Sequence, residues 1–339
     1  NVPHLRFPEF SGEWNKYTIN DLATVVGGGT PDTTVKSYWG GDIQWFTPSE
    51  IGKNKYVDFS KRTITRDGLD NSSAKLLPLH TILLSSRATV GECSIASNEC
   101  TTNQGFQSLI AKQCNIDFLY YLIQTKKKDL IRNACGSTFL EISANEIRKI
   151  KVAVPVQNEQ EQIAKLLSLI DERIATQNKI IEKLQSLIKG LVDELMTVLL
   201  KGKLYPFSSF YIKAGEGGTP TTSVVEYYTE GTIPFIKIED LSCKYLTNNK
   251  DFITELGMQK SSAWLIPSKS VIYSNGATIG AISINEYPVC TKQGILGIVP
   301  NTNINVEYLY LLMSSSYFSK EISRIITEGT MKTAYLKDI

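Results

Sequence analysis

The feature that most constrains this chain of 339 residues is an internal repeat, in which motifs of the first half recur in the same order in the second half. Residues 28–38 read GGTPDTTVKSY and residues 217–227 read GGTPTTSVVEY, so that 7 of 11 positions are identical. Two further pairs of motifs are separated by the same number of residues as the first pair. They are SSRATVG (85–91) with SNGATIG (274–280), and TTNQG (101–105) with CTKQG (290–294). A solenoid repeat is only roughly 20 to 50 residues long, so the repeated unit is predicted to be a whole domain.

Each copy of the repeat is predicted to mix strands and helices. Short β-branched and apolar runs, such as 81–84 and 270–273, lie between Gly, Asn and Pro turn signals and predict strands. Helical patterns occur near 117–132 and 306–326. The expected fold class is therefore α+β, with two homologous mixed α/β domains.

Between the two copies, residues 158–200 contain no proline and only one glycine, Gly190. Asn158 followed by Glu161 has the spacing of a capping box and predicts the start of a helix. Apolar residues then alternate by four and three with one interruption, at Gln177, and form an apolar seam: Ile163, Leu167, Ile170, Ile174, Ile181, Leu184, Ile188, Leu191, Leu195 and Val198. A period of about 3.5 residues over about five heptads predicts a coiled-coil helix, although an amphipathic helix on a globular core is also open.

Charge and composition exclude several classes of protein. The chain has 36 Lys and Arg against 34 Asp and Glu, so DNA binding would need basic groups gathered on one face or supplied by partners. There is no apolar run of about 18 residues and no signal-peptide pattern, which predicts a cytoplasmic protein without a membrane span. With no CxxC pair and only His4 and His80, we expect free thiols and no metal site.

Several short patterns imitate catalytic sites without their context. Asp32, Glu50 and Lys53 resemble a nuclease set, but the latter two lack the alternate spacing that places side chains on one face of a strand. In the second copy, Thr221 stands in place of Asp32. The glycine-rich stretches carry no Walker lysine, and no Asn-Pro-Pro-aromatic methyltransferase motif occurs. We therefore predict no catalytic residue and no cofactor.

A set of longer motifs gives the chain its family resemblance: GGTP (28–31), WGGDIQWFTPSEI (39–51), SSRATVG (85–91), TNQG (102–105), GSTFLEIS (136–143) and VPVQNEQEQIAKLLSLID (154–171). As a set they resemble the specificity subunits of type I restriction-modification systems. The resemblance implies two target-recognition domains, each reading one half of a bipartite double-stranded DNA site. It also implies partners: two modification subunits that methylate adenine, and restriction subunits that cleave.

The resemblance divides the chain into a first target-recognition domain (1–154), a long heptad helix for spacing and subunit docking (155–203) and a second target-recognition domain (204–339). Proteins of this family usually carry a second long helix after the second domain. Here the sequence stops at Ile339, in a stretch equivalent to the one that ends at Ile147. We expect either a truncated sequence or a seam that pairs with another chain.

Comparison of the two copies also identifies candidate DNA-binding residues. Side chains that discriminate between bases should lie where the two copies diverge: Thr47 and Lys237, Ser49 and Glu239, Ser86 and Asn275, Arg87 and Gly276, Asn103 and Lys292. Flexible cations without an obvious partner are assigned to phosphate contacts: Lys53, Lys55, Arg62, Arg66 and Lys126 to Lys128.

Two other functions remain open at this point. The chain could be a fragment of a fused restriction or methyltransferase enzyme, which a cofactor motif would support. It could also be a coiled-coil scaffold whose flanking domains bind protein or sugar rather than DNA, because the heptad helix alone does not exclude that function.

Overall fold

The computed structural model describes residues 3, 5–136, 140–199, 201–276 and 278–325. The chain forms two compact units, Asn1–Asn178 and Lys179–Ile339, and each unit contains one copy of the repeat. The division falls within the long helix, and the domain limits predicted at 154 and 203 stay predictions. Some predicted features lie outside the described residues: His4, the 137–139 part of GSTFLEIS, Leu200, Ala277 and everything from 326 onward.

The first unit is built from short strands and short helices. Its strands are β1 (Asn15–Thr18), β2 (Ala23–Gly27), β3 (Trp39–Phe46), β4 (Tyr56–Val57), β5 (Arg62–Ile64), β6 (Ile82–Leu84), β7 (Cys93–Ala96), β8 (Cys100–Thr102), β9 (Gln107–Ala111) and β10 (Lys151–Val154). Its helices are α1 (Ile19–Leu22), α2 (Arg66–Asp70), α3 (Ile116–Thr125), α4 (Lys127–Arg132) and α5 (Ala144–Lys149). The strands form a sheet in the order β2-β9-β6-β7-β4, a smaller sheet in the order β5-β3-β8, and the pair β1-β10.

The long helix α6 (Gln157–Leu199) leads from the first unit into the second, which has the same sheet plan. Its strands are β11 (Tyr211–Glu216), β12 (Ile233–Ile236), β13 (Tyr245–Leu246), β14 (Asp251–Ile253), β15 (Val271–Ser274), β16 (Ile282–Asn285), β17 (Cys290–Thr291) and β18 (Ile295–Pro300). Its helices are α7 (Glu255–Gln259), α8 (Val306–Ser314) and α9 (Ser316–Ile325). The orders β11-β18-β15-β16-β13 and β14-β12-β17 repeat those of the first unit. The predicted α+β fold with a duplicated domain is therefore confirmed.

In each unit, successive side chains of the central strand pack into different apolar clusters. Ile82 and Leu84 pack into the core that contains the helices, whereas Leu83 packs on the other side with Phe46 and Phe106. Successive side chains of a strand point to opposite faces, so β6 serves two apolar clusters at once. In the second unit, Val271 and Tyr273 lie in one core and Ile272 lies in another.

The two predicted domain helices are each broken in the structure. The pattern at 117–132 forms α3 and α4 with a break at Lys126, and the pattern from 306 forms α8 and α9 with a break at Ser315. Ser315 has extended backbone, donates its hydroxyl hydrogen bond to Leu312 O at 2.6 Å, and accepts one from Phe318 N at 3.2 Å. Both stretches are helical, as the sequence pattern predicts, and each is divided into two helices in the structure.

The helix α6 begins one residue earlier than predicted. Since Gln157 is its first residue, Asn158 lies inside the first turn and does not act as the N-cap of a capping box. From Ile170 to Val198 the seam side chains are between 46% and 60% exposed, whereas Ile163 packs against the core of the first unit. Within the part of the chain that the structure describes, no helix is both long and apolar enough to cross a membrane.

Candidate nucleic-acid interface

In the first unit, the sequence motifs that are far apart along the chain meet through backbone hydrogen bonds. Gly29 N donates to Thr102 O at 2.8 Å, Ser86 N donates to Gly105 O at 2.8 Å, and Asn103 N donates to Phe46 O at 3.0 Å. We call the resulting surface the first loop cluster, which comprises residues 28–32, 47–50, 85–91 and 102–105.

The second unit joins the equivalent segments in nearly the same way. Asn275 N donates to Gly294 O at 3.1 Å, and Lys292 N donates to Ile236 O at 3.0 Å. The second loop cluster comprises residues 217–221, 237–240, 274–276, 278–280 and 290–294. Both units thus present one surface of loops built on the same scaffold, which suits recognition of a ligand by exchangeable side chains.

The glycines shared by both copies allow close backbone approach. A Cβ atom on Gly29 would lie 2.3 Å from Ala74 N, and one on Gly218 would lie 2.4 Å from Ala263 N. Only glycine avoids these clashes, because it has no side chain. These identical positions therefore serve the common fold.

The diverging positions differ in how accessible they are. Ser49, Glu239 and Lys292 are exposed, and the Arg87 side chain is 47% exposed with its Nε atom 3.8 Å from Glu141 Oε2. These four side chains lie on the loop clusters, where they are accessible to a ligand. Gly276 is the counterpart of Arg87 and has no side chain.

Other diverging positions point inward. Ser86 is fully buried and Asn275 is 2% exposed. The Thr47 hydroxyl donates to Glu50 Oε2 at 2.6 Å, and Asn103 Oδ1 accepts from Gly105 N at 2.9 Å. Ser86 and Asn275 are therefore inaccessible to a ligand in this structure, whereas Thr47 and Asn103 are partly exposed and hold the turns of their loops.

Comparison with known proteins decides what kind of chain carries these two loop clusters. The family model for the type I restriction modification DNA specificity domain matches residues 11–186 and again residues 210–339. This chain belongs to that specificity family. The two matched ranges contain the first and the second loop cluster, so each loop cluster lies in its own specificity domain.

Individual relatives agree with this assignment. The specificity subunit of the type I restriction enzyme MjaIX from Methanocaldococcus jannaschii is 30% identical over 355 aligned residues, which cover 96% of this chain and 81% of the relative. The crystal structure of a type I restriction-modification S subunit from M. genitalium covers 96% of this chain and 82% of its own, with a TM-score of 0.51 at 18% identity. A chain from a structural study of type I system assembly and conformational transition covers 99% and 85%, with a TM-score of 0.57 at 15% identity. These two structures share the fold.

The lysines and arginines that the sequence assigns to phosphate contacts differ in their exposure and in whether an acidic side chain lies close to them. Lys53 is exposed, as is Arg66, whose Nε atom lies 3.3 Å from Asp70 Oδ2 on the same helix. Lys126 lies 3.6 Å from Asp129 and Lys128 is exposed, whereas Lys127 contacts Glu92.

Lys55 is the clearest departure from its predicted role. Its side chain is 12% exposed, and its ammonium group lies 2.8 Å from Asp117 Oδ1 and 2.7 Å from the Ser168 hydroxyl. It also lies 4.6 Å from the centre of the Tyr121 ring. The Lys55 side chain is therefore held inside the first unit by its ion pair and its hydrogen bond, and it is not part of the proposed DNA interface.

Among the described residues, no three His, Cys, Asp or Glu side chains are placed to hold a metal ion. Burial raises the pKa of the Cys93 and Cys100 thiols to about 12, so both stay protonated near neutral pH and are poor nucleophiles.

Proposed function

We propose that this chain is the non-catalytic DNA-recognition subunit of a type I restriction-modification complex. Each loop cluster reads one half of a bipartite double-stranded DNA site. The helix α6 sets the separation of the two half-sites and docks two modification subunits, with which restriction subunits associate. Because such a complex acts on genomic DNA, we place its function in the cytoplasm.

The observation that carries this proposal is the contrast between a shared scaffold and a diverging surface within one chain. The two units share their sheet order and their buried glycines. Their exposed loop positions nevertheless carry different chemistry, with Ser49 against Glu239 and Arg87 against Gly276. Two readers of different sequences need this combination, since phosphate contacts position a protein on DNA and base contacts specify the sequence.

The exposed side chains on the loops suit base recognition. Arginine and lysine pair with the O6 and N7 acceptors of guanine, and a carboxylate accepts from the amino group of cytosine. Arg87, Lys292 and Glu239 supply these groups, while Lys53, Arg66 and Lys128 are exposed cations suited to phosphate. With a net charge of only +2, DNA binding would depend on local cations such as these and on cations of partner subunits, not on the charge of the whole chain.

The apolar seam of α6 supports the proposed role of this helix in subunit docking. Apolar side chains at a heptad spacing that stay about half exposed favour contact with another helix. We assign Ile170, Ile174, Ile181, Leu184, Ile188, Leu191, Leu195 and Val198 to subunit docking. Leu167 is half-buried and Ile163 packs on the core of the first unit, so these two contribute less.

A DNA-selection experiment tests the proposal. The full chain, assembled with the modification subunits of its system, is incubated with a randomised duplex library at several salt concentrations. We expect enrichment of a two-part sequence with a fixed spacer, and affinity that falls as salt rises because phosphate contacts release counterions. Retention without sequence enrichment would favour a scaffold, and methyl transfer by the chain alone would favour an enzyme.

A further inference from the structure

In the first unit, an arginine guanidinium lies over a tryptophan ring beside the first loop cluster. The Arg62 guanidinium carbon lies 3.6 Å from the centre of the Trp39 ring and 5.4 Å from that of Trp45. The two rings meet edge to face, with centroids 5.0 Å apart and planes at 90°. Arg62 is exposed, and none of the ion pairs between described residues includes it.

The tryptophan platform is attached to the GGTP segment. Trp39 Nε1 donates a hydrogen bond to Asp32 O at 3.1 Å, and Trp45 Nε1 donates to Gly29 O at 2.9 Å. Since residues 28–32 belong to the first loop cluster, the guanidinium is held next to it. A guanidinium held against an aromatic ring by cation–π attraction keeps N–H donors around its edge for hydrogen bonds.

The second unit has the opposite charge at the same place. In the β3–β5 pair, Trp45 faces Arg62, and in the β12–β14 pair, Phe235 faces Asp251. The register of the strands therefore makes Asp251 the counterpart of Arg62. Its Oδ1 atom lies 2.8 Å from Lys237 Nζ, so the second unit has a neutralised pair where the first has a stacked cation.

The position and geometry of Arg62 suit a base contact. Its guanidinium lies over a tryptophan ring beside the first loop cluster, and its counterpart in the second copy is Asp251. A guanidinium whose orientation is limited in this way can pair bidentately with the O6 and N7 atoms of guanine, whereas a phosphate contact would leave the base preference unchanged.

We propose that Arg62 reads a guanine in the first half-site through its guanidinium edge, and that Trp39 acts as its positioning residue. The inference rests on the proposed function and narrows it. It assigns a guanine to the first half-site at the base pair next to Arg62, and it assigns no equivalent guanine contact to Asp251 in the second.

The experiment compares Arg62→Lys, Arg62→Ala and Trp39→Phe with wild type, each as the full chain assembled with modification subunits. Arg132→Ala is the matched control, because Arg132 is an exposed arginine on α4 that lies outside the loop clusters and outside the residues assigned to DNA. The readouts are the base profile from a randomised duplex library and the affinity for a duplex without the site. Thermal unfolding verifies that each variant is folded.

We expect Arg62→Lys, which keeps the charge, to lose preference for one guanine by roughly 5- to 150-fold while all other positions stay unchanged. Trp39→Phe should relax the same position less, and Arg132→Ala should leave the profile intact. A wild-type profile for folded Arg62→Lys and Arg62→Ala overturns the inference. An equal loss of affinity for every sequence also overturns it, because that result marks a phosphate contact. Absence of any enriched site with the wild-type chain would instead refute the proposed function itself.

Discussion

The ammonium group of Lys55 lies 2.8 Å from the carboxylate of Asp117, and Lys244 contacts Glu307 at the equivalent place in the second unit. A tyrosine accompanies each lysine: Tyr56 donates its hydroxyl hydrogen bond to Asp117 at 2.7 Å, and Tyr245 donates its own to Glu307. Both acids lie in the first turn of a helix, α3 or α8. The Lys-Tyr pair thus ties the edge strand β4 or β13 to that helix in each unit.

The acid in this contact gives the first unit a pH-dependent contribution to stability. Partial burial raises the pKa of Asp117, but hydrogen bonds from Lys55 and Tyr56 outweigh it, and the net pKa is lowered. A lowered folded-state pKa stabilises the fold above the unfolded pKa of about 3.9, and this contribution is lost as pH falls through the folded pKa. We expect Asp117→Asn to destabilise the unit by about 1 to 3 kcal/mol at pH 7.

The measurement is hydrogen exchange of the α3 segment at several pH values. The difference from wild type should shrink as the pH falls below about 4 and through the lowered pKa of the folded Asp117 carboxyl. Asp70→Asn is the control, since its ion pair with Arg66 is exposed and should contribute little. A difference that stays constant down to pH 2 would contradict the assigned role of the charge.

Two glycine substitutions should have opposite effects. Gly29→Ala places a methyl group 2.3 Å from the Ala74 backbone, so we expect destabilisation by about 1 to 3 kcal/mol and a displaced GGTP segment. Gly190→Ala in α6 meets no atom within 4 Å and should stabilise the helix by up to about 1 kcal/mol through helix propensity. Chemical denaturation measures the change in the free energy of unfolding for both variants. Changes of the same sign in the two variants would contradict the geometry.

Arg87 should contribute to reading the first half-site. Its side chain is about half exposed on the first loop cluster, and its counterpart Gly276 has none. If Arg87 reads guanine, Arg87→Ala should weaken cognate binding by roughly 1 to 3 kcal/mol and relax one base position. Arg132→Ala, on the exposed face of α4, is the matched control. Unchanged cognate affinity in a folded variant would assign Arg87 to the solvated surface.

Each domain should act as a separate reader. We expect that exchanging residues 1–154 for the corresponding domain of a related specificity subunit changes one half-site and leaves the other as it was. The physical reason is that each loop cluster is assembled within its own unit. Mapping methylated adenines genome-wide before and after the exchange measures this, and a reciprocal exchange of 204–339 is the control. Changes in both half-sites from a single exchange would refute modular reading.

The length of α6 should determine the spacer. Inserting four residues after Asn178 adds about 6 Å to the helix, close to two base-pair steps of ~3.4 Å, and nearly keeps the phase of the seam. We expect unchanged half-sites and a spacer altered by one or two base pairs in the methylation map. Gln177→Leu, which fills the break in the seam without changing its length, should keep the spacer. A wild-type spacer in an insertion variant that still assembles would make α6 a docking surface alone.

Much of the architecture follows from patterns that are local in sequence. The constant offset between the repeated motifs identifies two equivalent units, the heptad spacing identifies α6 almost to the residue, and short apolar runs identify β6 and β15. These features depend on periodicity and turn chemistry, which neighbouring residues carry. The repeated Lys-Tyr pair at 55–56 and 244–245 was also visible at that offset, although its partners were not.

Exposure and pairing depend on residues that are distant along the chain. Ser86 and Asn275 occupy equivalent positions and differ in type, as residues that read different bases would. Each is nevertheless buried, at the point where its backbone N–H donates to the carbonyl of a glycine in a later loop. Lys55 resembles a free surface cation until the fold brings an acid of α3 and a hydroxyl of α6 to it. Arg62 gains its orientation from Trp39 on an earlier strand only because β3 and β5 pair. Such contacts are formed by long-range strand pairing, so the tertiary structure selects which polar side chains stay available to DNA.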